Sequence, residues 1–525
     1  MHLTARWLVP YVLILTVGDN LKAEPQEESK RAKRQPVRAV SAGQAPEQPQ
    51  PPPKSEEREP ERSPGTEMVP HDRGSFRPDP SYEDTFDTEE QLDIYGGKEK
   101  VSTQRPLLEV GRPLYRSGPF REGVNLVGEK NQLWPWFLIY GDWRVATGVI
   151  DNGDQNFGRV ATDLNLEFDL KLTATERVHA FISPFDKNGK FTSIDYLGDT
   201  RGNDEFVLDG NLDALFFEGD VGAIYSGLSG RESPFDLPLS FGLMPLLFQN
   251  GVWMEDAISG FAFTIPARHS KFLNISNFDT TFFAGFDDVN TAAVLDAGGN
   301  DHDAEIFGVT SFIEALQGYF EIGYGYTHAD ADGIHDLDYH NLTGAYTRRY
   351  GAWLSNSVRG IWCVGQDPDG GSRTADGFLL LLENSLITFK PYNLVPYING
   401  FFGVNRPQSL SRAAAAGGVL KNTGLNFEED ALTGYPSLDD TGHDTFGGAI
   451  GLEYLFNLDK QIVIEVAALK DHGDKATAPG AELGFGARLQ YPISQQFIIR
   501  ADAMYGIIES DDNISGVRLE FRWKF

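Results

Sequence analysis

The final nine residues of this 525-residue chain alternate without exception between apolar and charged side chains. Val517, Leu519, Phe521, Trp523 and Phe525 alternate with Arg518, Glu520, Arg522 and Lys524. Because successive side chains of a β-strand point to opposite faces, the segment predicts a strand with one apolar and one charged face. A soluble sheet accommodates such a strand by burying its apolar face on a core. A membrane barrel accommodates it better, with the apolar face toward lipid and the charged face toward a wet interior.

The same alternation recurs along the chain from about residue 136 onward. Good examples are 163–172, 319–326, 450–456, 462–468, 482–491 and 497–507. No single run decides the fold, because the strands of β-sandwiches alternate too. About a dozen such runs, many with carboxylates on the polar face, do not fit one soluble core. The 36 Phe, 19 Tyr and 56 Gly also suit a large antiparallel β structure.

The connections between these runs alternate between short and long. With Phe525 placed in the periplasm, 457–460 and 492–495 are tight turns, whereas 405–444 and 471–480 are long external segments. This is the rhythm of outer-membrane barrels. The predicted fold class is therefore all-β, a transmembrane antiparallel β-barrel of about 18 strands, within a range of about 16–18. A barrel of this width is not filled by its own side chains and encloses a water-filled channel by default.

The chain before the barrel is predicted to form three regions. Residues 1–23 form a signal peptide, because Arg6 precedes an apolar run that is too short to span a bilayer. Residues 24–80 form a disordered linker rich in Pro, Glu and Gln, with too few aliphatic side chains to build a core. Residues 81–135 form a lead-in segment that packs at the periplasmic mouth of the barrel or plugs it. The barrel itself occupies 136–525.

The C-terminal aromatic strand and the alternation before it resemble the porin family of Gram-negative outer membranes, particularly the larger substrate-type porins. The resemblance covers roughly residues 136–525. It implies that Phe521, Trp523 and Phe525 form the assembly signal that the barrel-assembly machinery reads. It also implies a location in the cell outer membrane, contact with outer-membrane lipid, and a homotrimer.

Porins often fold their third external loop into the lumen, and the resemblance implies a constriction of that kind. The third external loop in this count is 249–256, which makes Glu255 and Asp256 the candidate constriction residues. This loop is short for the role. The longer segments 186–210 and 405–444 are the alternatives.

The polar faces of the predicted strands give the lining of the lumen. The predicted pore-lining residues are Arg144, Asp163, Glu167, Asp169, Lys171, Glu321, Glu453, Glu465, Glu482, Arg488, Arg500, Asp502, Arg518, Glu520, Arg522 and Lys524. The bases gather on the last three strands and the first, which become neighbours when the barrel closes. The slight excess of acids predicts a weak preference for cations, or the passage of neutral solutes such as sugars. The alternative is that these charges form cross-strand salt bridges that merely make a wet lining soluble.

Other classes of function find little support in the sequence. The formal charge of −31 argues against binding nucleic acid, which needs basic patches. No catalytic residue and no cofactor site is predicted, since no nucleophile elbow or phosphate loop is present. Asp330, Asp332 and Asp336 are a weak candidate for a metal site. They lack the twelve-residue spacing with a terminal Glu that a calcium-binding loop has, and an ordinary acidic loop is the better interpretation.

The sequence thus predicts an outer-membrane porin, a water-filled channel for passive diffusion of small hydrophilic solutes such as ions and sugars. One alternative is a structural or adhesive surface barrel whose lumen is plugged. Another is a soluble periplasmic β-sandwich, which would have to bury the apolar faces of its strands. Conductance across a bilayer separates the first two, and extraction without detergent identifies the third.

Overall fold

The computed structural model describes residues 106–111 and 123–525, except 188, 332, 414–415 and 457–459. The predicted signal peptide and linker lie outside the described residues, as does most of the lead-in segment. The chain divides into two compact units, and all the described residues belong to the unit that contains Thr103–Phe525. Within this part of the chain, no helix has the length and apolarity needed to cross a membrane.

Strands make up most of the described chain. They are β1 (Leu108–Gly111), β2 (Trp136–Asp151), β3 (Asn156–Lys171), β4 (Arg177–Ile182), β5 (Asp186–Lys187), β6 (Lys190–Gly198), β7 (Asp204–Glu205), β8 (Ala214–Asp220), β9 (Pro238–Phe248), β10 (Met254–Ser270), β11 (Ile275–Asp287), β12 (Ala304–Ala315), β13 (Gly318–Ala329), β14 (Tyr339–Tyr350), β15 (Leu354–Val364), β16 (Phe378–Leu386), β17 (Leu394–Val404), β18 (Ser411–Arg412), β19 (Thr445–Phe456), β20 (Lys460–Asp471), β21 (Glu482–Pro492), β22 (Phe497–Ile508) and β23 (Ile514–Lys524). The helices are α1 (Val221–Ser229) and α2 (Ala292–Leu295), with 3-10 turns at Lys421–Thr423 and Leu425–Phe427.

These strands close into one barrel because β23 pairs with β2 over the register Asp142↔Lys524 to Asp151↔Ser515. β4 and β6 lie end to end along β3 and together form one barrel strand. β7 and β8 form the next strand in the same way. The result is a closed antiparallel barrel of 18 strands, which confirms the predicted fold class.

The alternation in the sequence becomes an apolar outside and a charged inside. On β23, Val517 and Leu519 are exposed on the outer surface, whereas Arg518 and Glu520 are buried in the interior. Large apolar side chains are exposed on strands all around the barrel, among them Phe241, Phe261, Ile322, Trp362, Ile398, Ile450, Ile464, Phe485 and Tyr505. An apolar outer wall of this kind matches the hydrocarbon interior of a bilayer.

The two ends of the barrel differ in their connections. At one end the connections include the short turns 271–274, 316–317 and 351–353. The opposite end carries the long connection 405–444, as the sequence predicts. One connection at the turn end is longer than expected, because α1 follows β8 directly. The Asp220 side chain caps this helix by accepting a hydrogen bond from the Ala223 N–H at 2.7 Å.

The interpretation of 186–210 as one long external loop is wrong. The segment contains β6 and β7, which are joined by the turn 199–203. Its many Asp and Gly residues suggested a loop, but the polar groups find partners within the barrel. Asp195 on β6 accepts from Arg159 on β3 at 2.7 and 3.0 Å.

Strand β1 belongs to the described part of the lead-in segment. It pairs with the start of β2 from Leu108↔Ile139 to Gly111↔Trp136. This part of β2 extends beyond the end of β23, since the Gly141 N–H already donates to the Phe525 carbonyl at 2.9 Å. β1 thereby covers an edge that would otherwise leave backbone groups unpaired. A plugging role for the whole lead-in segment stays a prediction.

Candidate functional site

The connection 405–444, here called the inward loop, folds into the barrel. Near its start, Ser411–Arg412 (β18) pair in parallel with Met254–Glu255 of β10. Further along, Asp430 reaches Arg144 on β2 and Arg518 on β23. The inward loop therefore bridges the interior from β10 to the seam where the barrel closes.

Glu255 and Asp256, the predicted constriction residues, lie on β10 and hold the base of the inward loop. Glu255 pairs with Arg412 at 3.4 Å and with Lys421 at 3.9 Å. Asp256 accepts from the Ser411 hydroxyl at 2.5 Å. The turn before β10 is only five residues long, from Gln249 to Trp253, but it also folds into the interior. Gln249 accepts from the Thr343 hydroxyl of β14 at 2.8 Å, and the Trp253 ring donates to Asn341 of β14 at 2.9 Å. The inward loop is the longer of these two segments.

Five arginines line the interior at the closing seam and are called the arginine wall. They are Arg144 on β2, Arg488 on β21, Arg500 on β22, and Arg518 and Arg522 on β23. Asp502 is shared by three of them, with distances of 2.6 Å to Arg488 Nε, 2.9 Å to Arg500 Nε and 2.8 Å to Arg518 Nη2. Glu520 pairs with the other two, at 2.5 Å to Arg144 and 2.7 Å to Arg522.

Two carboxylates of the inward loop complete this charge network. Glu428 accepts from Arg488 at 2.7 Å and from Arg500 at 3.4 Å. Asp430 pairs with Arg144 at 3.4 Å and also with Arg518. Each loop carboxylate therefore joins two arginines from different strands. Sequence reasoning missed both residues, because a loop has no periodicity that reveals where its side chains point.

Glu465 and Glu482, both predicted to line the pore, also hold the inward loop. Glu465 accepts from the N–H groups of Leu425 and Asn426 at 2.7 and 2.8 Å and from the Asn426 side chain at 2.8 Å. Glu482 accepts from the Asp439 N–H at 2.9 Å. Gly486 gives the loop room, since a Cβ there would lie only 2.7 Å from Asn426 Oδ1.

Apolar side chains of the inward loop pack against small and aromatic residues of the wall. Phe427 is fully buried and meets Phe401 edge to face, with ring centroids 5.7 Å apart. Leu420 and Leu438 belong to the same buried cluster, which also contains Ala449 of β19. The interior at the long-connection end is therefore largely packed with protein.

The other predicted lining residues also lie on the interior face. Four of the acids lie near a base: Asp163 is 3.8 Å from Arg144, Glu167 is 3.4 Å from His179, Asp169 is 3.3 Å from Arg177, and Glu321 is 3.7 Å from Arg359. Glu453 accepts a hydrogen bond from the Gln461 side chain at 2.6 Å. The Lys171 ammonium lies 5.7 Å from the centre of the Trp136 ring. Lys524 occupies the last interior position of β23. Their role in lining a conducting pore stays a prediction, as does that of the arginine wall.

Sequence reasoning missed several interior charges that the alternation would have revealed. Arg359 on β15 is almost fully buried and pairs with Glu383 of β16 at 3.3 Å. It lies between outward-facing Val358 and Gly360 in a run that alternates like the others. Asp142 precedes Arg144 on the same face of β2 and lies 3.8 Å from Arg522.

The weak metal candidate is only partly described. Asp330 pairs with His335 at 3.5 Å and accepts from the Asp336 N–H at 3.2 Å, whereas Asp332 lies outside the described residues. In the described part of the chain, the potential metal ligands that converge are instead Asp287, Asp288 and His302, with ligand atoms within 4.8 Å of one another.

Two titratable groups of the inward loop are buried near its return to β19. Burial raises the pKa of Asp440 to about 6, although its carboxylate accepts from the Gly418 N–H at 2.5 Å. Burial lowers the pKa of His443 to about 4. The His443 ring lies 3.3 Å from the Gln408 side-chain nitrogen. These groups give the inward loop two opposite responses to pH.

Comparisons with known proteins find likeness in structure only. No family model and no curated protein matches the chain. Pseudomonas aeruginosa OccK1 (OpdK) is 12% identical with a TM-score of 0.48, over 74% of this chain and 98% of that one. A BenF-like porin from Pseudomonas fluorescens is 12% identical with a TM-score of 0.47, over 74% and 98%.

A third similar structure is Wzi of Escherichia coli, an outer membrane protein involved in group 1 capsule assembly and described as a carbohydrate-binding β-barrel. It is 14% identical with a TM-score of 0.43, over 73% of this chain and 84% of that one. At these identities the likeness concerns the fold alone.

Proposed function

We propose that this protein is an outer-membrane porin, a water-filled channel for passive diffusion of small hydrophilic solutes such as ions and sugars. The observation that carries the proposal is the closed 18-stranded barrel with an apolar outside and a charged inside. Only closed barrels and helices satisfy every backbone hydrogen bond within a bilayer. The side chains of the wall alone do not fill the interior of a barrel of about 18 strands, and the remaining space is expected to hold water.

The inward loop is the proposed constriction of this channel. It crosses the interior from Glu255 to the arginine wall, and several interior carboxylates remain partly exposed to water. The side chains of Glu321, Glu383 and Glu428 keep 23%, 25% and 26% of their exposure. Solutes would pass beside the loop, where acidic groups outnumber basic ones among the predicted lining residues. A weak preference for cations follows from that excess.

A liposome-swelling assay tests the channel. Folded protein extracted in detergent is reconstituted with neutral sugars of increasing size outside the vesicles. Small sugars should enter and larger ones should be excluded, because the inward loop narrows the path. Swelling equal to that of protein-free vesicles for every sugar, with the barrel shown to be folded and inserted, would contradict the proposal.

The second candidate is a plugged structural or adhesive surface barrel. The specific observation in its favour is the buried apolar cluster that the inward loop forms with the wall. In that case wild-type protein would not support swelling, whereas a variant with a shortened inward loop would. Swelling by wild-type protein excludes a complete plug.

A further inference from the structure

We propose that Glu167 on β3 and His179 on β4 bind a divalent transition-metal ion such as Zn²⁺ inside the barrel, and that this ion clamps β4 to β3. Both side chains are buried on the interior face of their strands, near the turn end of the barrel. The inference goes beyond the proposed function, because it holds whether or not the barrel conducts.

The His179 imidazole is buried without the hydrogen bonds that a ring in such a place normally makes. The residue is only 3% exposed, and neither Nδ1 nor Nε2 has a hydrogen-bond partner in the described part of the chain. Phe216 of β8 packs against the ring, with ring centroids 5.3 Å apart. A buried polar group without a partner is unfavourable, and imidazole nitrogens are favoured ligands of Zn²⁺ and similar ions.

The Glu167 carboxylate lies beside this ring at a distance that suits shared metal coordination. Its Oε2 is 3.4 Å from His179 Nε2 and also lacks a hydrogen-bond partner among the described residues. A charge-assisted N–H···O bond would be shorter, at about 2.7–2.9 Å. Two ligands of a tetrahedral Zn²⁺ with bonds of about 2.0–2.2 Å lie roughly 3.3–3.5 Å apart. The observed separation therefore fits two ligands of one ion better than a direct ion pair.

Acids outnumber bases around this pair of side chains. Asp169 lies across from His179 in the register of β3 and β4, and its Oδ2 is 3.3 Å from Arg177. Arg177 also pairs with Glu218 of β8. Lys171, at the end of β3, lies across from Arg177 and is the second base. Buried charges are either paired or bound to a metal, and a divalent cation would offset the excess of carboxylates.

Strand β2 bounds the site on its other side and supplies no base to Glu167. The Tyr140 hydroxyl donates a hydrogen bond to Glu167. Asp142, the next interior residue of β2, lies 3.8 Å from Arg522, so this acid has a base of its own. Among the described residues, His179 makes the only ion-pair contact of Glu167. The Glu167 charge is therefore the one that a bound cation would neutralise.

Strand β4 is short and depends on few backbone hydrogen bonds. It pairs with β3 only from Leu166↔Ile182 to Lys171↔Arg177, and β6 then continues the barrel strand along β3. Segments with few such contacts open locally more readily than the core of a structure. An ion bound to Glu167 and His179 would join the two strands within this short ladder.

A second group of potential ligands provides a matched control. Asp287, Asp288 and His302 converge more closely in number, but they lie near the surface. The His302 side chain is 59% exposed, and its Nδ1 already lies 2.6 Å from Asp287 Oδ1. A ring with this hydrogen bond and access to water has no need of an ion.

Metal content measures the proposed site directly. Full-length protein in detergent is stripped with a chelator, dialysed against a buffer of low, fixed free Zn²⁺, and analysed for zinc per chain by mass spectrometry. H179Q and E167Q should each bind one ion fewer than wild type, and H302Q should bind as many as wild type. Equal zinc content in wild type, H179Q and E167Q, or a loss confined to H302Q, would overturn the site.

Hydrogen exchange of wild-type protein keeps the test informative if the variants fold poorly. At a free Zn²⁺ concentration one hundred times the dissociation constant, the amides of 178–181 in β4 should exchange about a hundredfold more slowly than in chelator. The amides of α2, next to the Asp287 group, should exchange equally in both. Unchanged exchange in β4, or slowing only around α2, would contradict a clamp between β3 and β4.

Discussion

At the scale of single residues, the interior carboxylates do more than make a wall polar. Glu465 was predicted to line the pore, and in the structure it accepts from Leu425, Asn426 and, at 2.5 Å, the Tyr397 hydroxyl. The alternation predicted which way this side chain points. It did not predict the hydrogen-bond partners in the inward loop, because the sequence of a loop has no regular alternation that shows where its groups point.

Replacing Glu465 with Gln should therefore loosen the inward loop. The Leu425 and Asn426 N–H groups bond to different oxygens of the Glu465 carboxylate, and an amide replaces one of these oxygens with an NH2 group, so one backbone N–H loses its acceptor. An unsatisfied buried donor costs about 1–3 kcal/mol. The amides of Leu425 and Asn426 should exchange hydrogen faster in E465Q, as measured by mass spectrometry. E453Q, which alters a carboxylate on the same wall that contacts Gln461, is the control. Unchanged exchange in E465Q would contradict this assignment.

The inward loop should also respond to pH through His443 and Asp440, with opposite signs. The His443 pKa is lowered to about 4, so its contribution is present above the unfolded value of about 6.5 and is lost as the pH falls toward 4. The Asp440 pKa is raised to about 6, so its contribution is present below the unfolded value of about 3.9 and is lost as the pH rises through 6. The two trends partly cancel in wild type.

Single substitutions should separate these trends. In D440N the response of His443 is no longer offset by Asp440, and protection of the inward loop from proteolysis should fall as the pH decreases from 6.5 to 4. In H443Q the response of Asp440 is no longer offset by His443, and protection should rise as the pH decreases over the same interval. Parallel pH profiles in the two variants would show that neither group controls the loop.

At the scale of strands, the sequence predicted position and orientation well wherever one face of a strand is polar and the other is apolar. The alternation located β3, β20, β21, β22 and β23 with their faces assigned. It failed for β6, whose polar residues pair with β3 and look like a loop in isolation. The sequence also did not reveal that the inward loop folds into the barrel, since its burial depends on contacts with distant strands such as β10, β20 and β23 rather than on a local pattern.

A charge placed on the outer face of β23 should test the membrane-facing surface. Leu519 is 51% exposed on that face, and L519K would place an ammonium group in the hydrocarbon layer. The expected cost is about 2–4 kcal/mol near the midplane. Q490K, which adds the same charge on the interior face of β21, is the control. Urea titration of protein folded in lipid vesicles measures both. Equal stability of the two variants would mean that the outer face does not meet lipid.

At the scale of the whole molecule, the barrel wall and the inward loop have separate physical origins. The wall follows from strand number and alternation, both readable in the sequence. The interior is determined by contacts that no local pattern reveals, such as the ion pairs of Glu428 and Asp430 with arginines of the wall. Together the wall and the loop give a closed cylinder with an apolar outside and a charged inside.

Single-channel conductance in a planar bilayer tests this account most directly. Wild-type protein is compared with a variant in which a short flexible linker replaces the inward loop between Ala413 and Thr441. The account predicts steady current steps for wild type and larger steps for the variant, since the constriction is removed and the barrel remains closed. Steps of equal size would show that the inward loop is not the constriction. The absence of steps from both proteins, folded and inserted, would contradict a channel altogether.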